Sequence, residues 1–108
     1  MIARIWRGVT PEEKADAYFE YLRATGLAEY ESTEGNEGVL VLRRVDDGKA
    51  EFVLLSLWES LEAVRRFAGD DYETAVYYPE DDEYLLRREL KVEHYEVLTR
   101  GSDRRAAG

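Results

Sequence analysis

The sequence contains no cysteine, one histidine and an excess of acidic over basic residues, and each feature removes a class of function. Without cysteine, the 108-residue chain has no disulfide, thiol nucleophile, Cys-ligated zinc or iron–sulfur cluster. A lone histidine excludes two-histidine metal sites such as HExxH within one chain. The 15 Lys and Arg against 24 Asp and Glu give a net charge of -9, which disfavours binding to nucleic acid or to an anionic membrane surface.

Long apolar runs and the glycine motifs of nucleotide sites are also absent. The sequence has no apolar run of about 18 residues, the length that a membrane helix needs. Met1 to Thr10 lacks the apolar region of a secretion signal. Neither GxGxxG nor GxxxxGK[ST] occurs. We therefore expect a cytoplasmic protein with no membrane span and no nucleotide held by those loops.

The composition that remains is typical of one folded domain. The chain is 44% hydrophobic and 12% aromatic, which is enough for a modest core at this length. The last residues are small and charged. We predict a single domain over residues 1–99, followed by a flexible tail over residues 100–108.

Hydrophobic periodicity and turn residues predict four strands and two main helices. The predicted strands are residues 2–9, 39–45, 49–58 and 91–99. Helix 11–25 is predicted from a capping box at Thr10 and Glu13, with Gly26 as its end. Helix 61–68 is predicted from a Ser60 cap. The order predicts an α+β, ferredoxin-like βαββαβ fold, with a four-stranded antiparallel sheet and both helices on one face.

The connections are predicted from their turn and charge signals. Asp46-Asp47-Gly48 predicts a hairpin turn, and residues 29–38 predict a loop. Between the second helix and the last strand, residues 71–78 predict a helical turn. A short helix with an acidic start is predicted over residues 79–86.

Both faces of the predicted sheet require cover, because two strands are apolar on both parities. We assign a compact, aliphatic set to the face under the helices: Ala3, Ile5, Val39, Val41, Val53, Leu55, Leu57, Tyr95 and Val97. We assign a mixed set to a cavity wall that a second copy closes: Arg4, Trp6, Leu40, Leu42, Arg44, Phe52, Leu54, Ser56, Trp58, Val92, His94, Glu96 and Leu98. The hypothesis is a homodimer, a dimeric α+β barrel with an internal cavity.

Three stretches of the chain resemble small proteins of the antibiotic biosynthesis monooxygenase (ABM) superfamily. They are MIARIWRGVTPEEKADAYFEYL, FVLLSLWESLEAVRRFAGDDYETAVYYPED and VEHYEV. Trp58 to Gly69 fits the pattern W-x-S-x-E-A-x-x-x-F-A-G, and the resemblance covers Met1 to Leu98. It implies the dimeric barrel and oxygenation of phenols or ketones without metal or flavin, with the substrate's own anion reducing dioxygen.

The resemblance also extends to a sister branch of haem-degrading enzymes. That branch uses an Asn on the first strand, a Trp at the end of the third strand and a His on a helix. Trp58 stands at a comparable place. The first strand, however, reads IWRG without Asn, and His94 lies on a predicted strand. Both departures weigh against haem degradation.

His94 is the candidate catalytic residue, because imidazole exchanges protons near neutral pH. The alternative is a buried histidine with a structural hydrogen bond. Trp6 and Trp58 are candidate walls for a flat substrate, or ordinary core residues. Arg4 either binds an anionic group of the substrate or forms a salt bridge to Glu96.

Three further residues complete the candidate substrate-binding set. Ser56 and Glu96 share the predicted face of His94, and Tyr78 belongs to a tyrosine-rich segment that forms either a lid or a packed cover. The acidic run Glu80 to Glu83 either recruits a divalent cation or supplies helix-start charges.

The expected function is an ABM-type, cofactor-independent monooxygenase acting on a small aromatic or phenolic substrate. One alternative is a protein that binds a hydrophobic ligand or haem, with His94 as an axial ligand. Another is an assembly module without chemistry. We expect no cofactor, with haem as the alternative, and a second copy of the chain as the partner.

Overall fold

The structure, a computed structural model, describes residues 1–76, 79–89 and 91–101. Its elements are β1 (Ile2–Pro11), α1 (Ala15–Ala24), α2 (Gly26–Ser32), β2 (Asn36–Asp46), β3 (Lys49–Trp58), α3 (Leu61–Ala68), β4 (Arg87–Arg88) and β5 (Glu93–Glu96). Short 3-10 helices cover Glu12–Lys14 and Pro79–Glu83. None of the helices in the described residues has the length and apolar character that a membrane crossing requires.

The sheet has the strand order of the predicted ferredoxin-like fold. Strand β3 lies between β2 and β1, and it is antiparallel to both. The other side of β1 pairs with two short strands, β4 at Gly8 and Val9 and β5 at Ile2 to Ile5. Strand β5 is the predicted fourth strand, β4 is a two-residue strand that was not predicted, and the α+β class is confirmed.

The central hairpin and the helix after it match the sequence predictions. Asp47 and Gly48 both have positive φ, 54° and 76°, as a type I′ turn requires. Strand β3 and helix α3 have the predicted bounds. The side chain of Ser60 accepts a hydrogen bond of 3.2 Å from the Ala63 N–H, which confirms the predicted cap.

The predicted capping box at the start of the first helix is wrong. Strand β1 continues through Pro11, because Thr10 and Pro11 pair with Ala50 and Lys49 of β3. The Thr10 hydroxyl donates to the Pro11 carbonyl at 2.9 Å, so it does not cap a helix. Helix α1 begins only at Ala15.

The acidic segment after α1 is more ordered than its composition predicted. Gly26 begins α2 instead of ending the helical region, and β2 begins at Asn36 inside the predicted loop. Tyr30 explains the difference, because it is buried against Trp58 and Phe67. One aromatic anchor thus ties this segment to the core.

The segment between α3 and the last strand also differs from the prediction. Residues 71–76 form a turn and an isolated bridge from Thr74 to Lys91, without a helix in these described residues. Strand β5 is shorter than predicted, since the Val92 N–H donates to the Glu73 carbonyl at 2.8 Å instead of extending the sheet. The predicted tail lies outside the described residues from position 102 onward.

The assignment of the two sheet faces was wrong on β1, β3 and β5. The buried face under the helices carries the mixed set on β1 and β3, where Arg4 faces Ser56 and Trp6 faces Leu54. On these strands the compact aliphatic set lies on the other face. Bulky aromatic side chains fill the space between sheet and helices, which small aliphatic side chains would leave empty.

On β2 the predicted faces are correct. Val39 and Val41 pair with Ser56 and Leu54, so they lie under the helices. Leu40 and Leu42 lie on the opposite face, where they are 57% and 47% exposed. We call this face, formed by Ile5, Leu40, Leu42, Val53, Leu55, Leu57 and Tyr95, the open sheet face.

Candidate functional site

A small cavity lies between the sheet and the helices. Its volume is about 30 Å³, which is enough for about two water molecules. Strands β1 and β3, helices α1, α2 and α3, and the segment between α3 and β5 all contribute to its wall. The lining residues are Arg4, Trp6, Tyr18, Leu22, Thr25, Gly26, Tyr30, Leu54, Phe67, Val76, Asp81 and Val92.

Arg4 places a positive charge in this mainly apolar wall. It lies near the start of β1 and is 2% exposed. Its Nη2 donates to the Thr74 carbonyl at 3.3 Å, and its Cζ lies 5.5 Å from the centre of the Phe67 ring. Its buried Nε has no hydrogen-bond partner among the described residues, and none of their carboxylates forms an ion pair with it. Arg4 is thus a buried cation without a counter-ion in the described part of the chain.

Burial lowers the pKa of Arg4, and the nearby Tyr30 opposes this shift. A guanidinium nevertheless stays protonated in proteins. Burying an unpaired charge costs several kcal/mol, about the size of many proteins' net stability. A buried, unpaired cation with so high a free-energy cost is typical of a site that binds an anion.

His94 lies beside Arg4 on the same side of the sheet, since the two residues face each other across β5 and β1. Its ring packs edge-on against Tyr72, with 5.3 Å between ring centres. Its Nε2 is buried and has no partner among the described residues. His94 is not part of the cavity wall, so it flanks the cavity at the Arg4 end.

The pKa of His94 is lowered, first by burial and then by the positive charge of Arg4, while Glu73 opposes the shift. A lowered pKa keeps the ring neutral at pH 7, the form that accepts a proton. Because His94 is the only histidine, one NMR titration of the untagged protein reports its pKa. We expect a midpoint below the ordinary value of about 6.5. A midpoint above that value would contradict the buried placement beside Arg4.

Trp6 forms one wall of the cavity, and Gly8 makes its position possible. A Cβ built on Gly8 would lie 2.3 Å from Cη2 and 2.7 Å from Cζ2 of Trp6, well inside contact distance. The indole ring therefore lies along β1, over the glycine two residues later. No other residue type leaves this room.

Gly8→Ala is therefore expected to destabilise the fold and to displace Trp6 towards the cavity. The expected loss is about 2 kcal/mol, as for other overpacked cores. Urea denaturation measures the loss in the free energy of unfolding, and the fluorescence of Trp6 reports its displacement. Gly26→Ala is the matched control, because its Cβ would meet nothing closer than 4.0 Å. Equal stability of the two variants would contradict the close approach of Trp6.

Trp58 and Ser56 lie behind the cavity instead of lining it. Trp58 is fully buried between Tyr30 and Phe67, with ring-centre distances of 6.1 and 5.5 Å. Its Nε1 donates to the Ser56 hydroxyl at 2.9 Å, and that hydroxyl donates to the Arg4 carbonyl at 3.4 Å. For Trp58 the structure favours the core interpretation. The pair supports the strand that carries Arg4.

Two other predicted site residues do not join this group. Glu96 lies opposite Ile2 and is exposed, and it forms no ion pair with Arg4. Tyr78 lies outside the described residues. In the same tyrosine-rich segment, Tyr84 stacks on Tyr21 of α1 with 5.1 Å between ring centres, as a packed cover does.

Sequence reasoning missed Tyr18, Tyr30 and Asp81 as cavity residues. Tyr18 lies within the predicted helix 11–25, whereas Tyr30 lies within the predicted loop 29–38. Asp81 belongs to the acidic run and is only 4% exposed, whereas Asp82 and Glu83 are exposed. A run of acids gives no signal for which member turns inward. No group of three metal-ligating side chains occurs in the described residues.

Comparison with known proteins finds relatives by structure only. No protein-family model and no curated protein matches the sequence. A Bacillus cereus protein named as a candidate antibiotic biosynthesis monooxygenase matches with TM-score 0.64 and 22% identity, over 94% of this chain and 97% of that one. A similarly named protein from Nitrosomonas europaea matches with TM-score 0.63 and 19% identity, over 92% of this chain and 100% of that one.

A third solved structure is the heme-degrader MhuD from Mycobacterium tuberculosis with two hemes in its active site. It matches with TM-score 0.63 and 18% identity, over 94% of this chain and 100% of that one. At these identities the likeness establishes the fold. The ferredoxin-like fold of ABM-family structures is therefore the fold of this chain.

Proposed function

We propose that this chain is a cytoplasmic, ABM-type oxygenase that takes a small phenol or enol into the cavity between sheet and helices. The observation that carries the proposal is the buried Arg4, a cation without a counter-ion in an aromatic wall. A neutral phenol enters an aromatic cavity readily, and the phenolate that forms there meets Arg4. The positive charge of Arg4 stabilises the phenolate more than the neutral phenol. It therefore favours the reactive anion over the bound substrate.

The proposed reaction needs no reductant other than the substrate. A phenol with a free para position loses its hydroxyl proton, and the phenolate passes electrons to dioxygen. One oxygen atom is added to the para carbon, the other leaves as water, and the product is a para-quinone. The four electrons that dioxygen accepts all come from the phenol, so a metal or flavin is not required for the balance.

We assign three roles to this chain's residues. His94 accepts the proton, supported by its neutral form and its unpaired Nε2 beside Arg4. Arg4 stabilises the anion. Trp6 stacks on the ring and, with the tyrosines of the wall, excludes water from the reactive anion.

The cavity must enlarge to admit an aromatic ring. Its volume of about 30 Å³ is about a tenth of the smallest usual ligand pocket. Val76 and Asp81 lie in the wall on the segment between α3 and β5, which is joined to β1 mainly through the two-residue strand β4. We propose that the cavity opens on this side.

Oxygen consumption tests the proposal directly. The untagged wild-type protein is mixed with a panel of phenols that have a free para position, and oxygen uptake is followed with an electrode. We expect uptake together with the ultraviolet absorbance of a quinone, at one oxygen molecule per quinone. Absence of uptake across one-ring and fused-ring phenols would contradict the proposed activity.

Haem is a second ligand to consider, since the heme-degrader shares the fold. The described residues do not fit it. A porphyrin would require far more enlargement of the cavity than one aromatic ring does.

Haem titration therefore has a clear expected result. The Soret band of haem mixed with the protein is expected to match that of haem with a non-binding control protein. A shifted, saturable Soret band that His94→Ala removes would contradict this conclusion. It would also favour a haem-binding function with His94 as the axial ligand.

We also propose that the chain forms a homodimer through its open sheet face. Leu40, Leu42 and Tyr95 are about half exposed there in a single chain. Contiguous apolar surface of this kind is rarely left in water. Two ion pairs on this face neutralise their own charges, Arg7 with Glu93 at 2.7 Å and Arg44 with Glu51 at 2.6 Å.

A further inference from the structure

We infer that the cavity also binds a monocarboxylate, held by Arg4, and that Asp81 excludes ligands with a second negative charge. The monocarboxylate would occupy the same cavity as the phenol of the proposed function but in its place, because Arg4 pairs with one anion at a time. It adds a chemical class that neither the fold nor its relatives supply.

The shape of the buried guanidinium of Arg4 suits a carboxylate. A guanidinium presents its N–H groups in a planar fork that matches two carboxylate oxygens. On Arg4 one N–H group, at Nη2, already meets the Thr74 carbonyl, while the Nε–H has no partner among the described residues. A carboxylate would satisfy this donor and neutralise the charge at once.

The volume of the cavity also suits a carboxylate group. The cavity holds the volume of about two water molecules. A carboxylate group has three non-hydrogen atoms and is of this size, so its charged end fits without rearrangement. If the ligand also carries an aromatic ring, the cavity must enlarge to admit that ring, but the carboxylate alone needs no enlargement.

Asp81 brings a negative charge to the same cavity. It lies in the same wall as Arg4 and is 4% exposed, although its neighbours Asp82 and Glu83 are exposed. In a buried site, like charges repel far more strongly than they do in water. A ligand with one carboxylate pairs with Arg4, but a second charge on the ligand meets Asp81. A hydroxyl on the ligand would instead donate to Asp81.

The Arg4 side chain provides a direct readout in the full-length protein. In a ¹H–¹⁵N spectrum, the Nε–H of a buried arginine gives its own cross-peak. At neutral pH and constant ionic strength, we expect acetate to shift the Arg4 cross-peak with saturation. Malonate and sulfate, both doubly charged, are expected to leave it unshifted over the same concentrations.

Two variants separate the roles of the charges. Asp81→Asn is expected to reduce the preference for acetate over malonate by about tenfold, with Glu83→Gln as an exposed control in the same turn. Arg4→Met is expected to abolish the response of the Trp6 indole signal to acetate. The wild-type titration keeps the test decisive if Arg4→Met does not fold.

The outcomes distinguish this inference from the proposed activity. An Arg4 signal that acetate does not shift overturns the inference, whether or not phenols are oxygenated. Equal shifts with acetate and malonate overturn the role of Asp81. Saturable and selective acetate binding in a protein that consumes no oxygen with any phenol supports the inference and contradicts the oxygenase.

Discussion

Replacing Leu40 and Leu42 together by aspartate is expected to convert the homodimer into a monomer. These side chains are 57% and 47% exposed in the single chain, so the substitutions leave the core of each subunit intact. In the dimer they would be buried, and burying carboxylates in an apolar interface is costly. A cost of about 4 kcal/mol per dimer raises Kd about a thousandfold.

Light scattering after size exclusion measures this change. The wild type is expected at twice the 12.5 kDa mass of one chain, and the double variant at that mass. Leu61→Asp is the control, because Leu61 is an exposed leucine on α3, away from the open sheet face. Wild-type protein that already runs as a monomer at micromolar concentration would contradict the dimer.

The second large effect is expected at His94. If His94 accepts the phenol proton, His94→Gln should lower kcat by about a hundredfold or more, the usual contribution of a general base. Glutamine keeps the polarity and approximate size of the side chain, so the thermal midpoint should change little. Steady-state oxygen uptake with the best phenol of the panel gives kcat and KM separately.

The pH dependence of kcat/KM tests the role of His94 independently. Only neutral imidazole accepts a proton, and the pKa of His94 is lowered by burial and by Arg4. The acid limb of kcat/KM is therefore expected below pH 6.5 in the wild type and absent in His94→Gln. Glu96→Gln, exposed on the same strand, should behave as the wild type. Full activity of His94→Gln would move the role of base to another group of the site.

Local signals in the sequence were sufficient for the elements that local chemistry determines. The turn at Asp47 and Gly48 depends on positive φ, and the start of α3 depends on the Ser60 hydroxyl. Both could be predicted, because each involves residues within a few positions. The end of β1 could not, since its pairing with Lys49 and Ala50 overrides the helix signal at Thr10 and Pro11.

The two faces of the sheet could not be assigned from the sequence, for a different reason. Alternation separates the side chains of one strand into two sets, but it does not say which set meets the helices. It also does not fix one strand against the next. A register shift between Asn36 and Gly38 on β2 changes the pairing there, and a shift of one residue moves every side chain to the other face. Leu40 and Leu42 were assigned correctly to the face away from the helices, but they were grouped wrongly with Arg4, Trp6 and the other mixed residues of β1 and β3.

The candidate site was predictable in part. Arg4, Trp6 and His94 could be grouped because they share a parity on paired strands, although their face was assigned to the wrong side of the sheet. Tyr30 and Asp81 could not, since their positions depend on packing between segments far apart in sequence. A single sequence carries no local mark that distinguishes Asp81 from the three acids around it.

The most direct test asks where a ligand binds, beneath the helices or on the open sheet face. The chain has two tryptophans, so the indole region of a ¹H–¹⁵N spectrum holds two signals that are simple to assign. Titration with phenol is expected to shift the Trp6 indole N–H with saturation, while the amides of Leu40 and Leu55 stay in place. Shifts confined to Leu40, Leu55 and their neighbours would contradict the central claim that the cavity beside Arg4 is the ligand site.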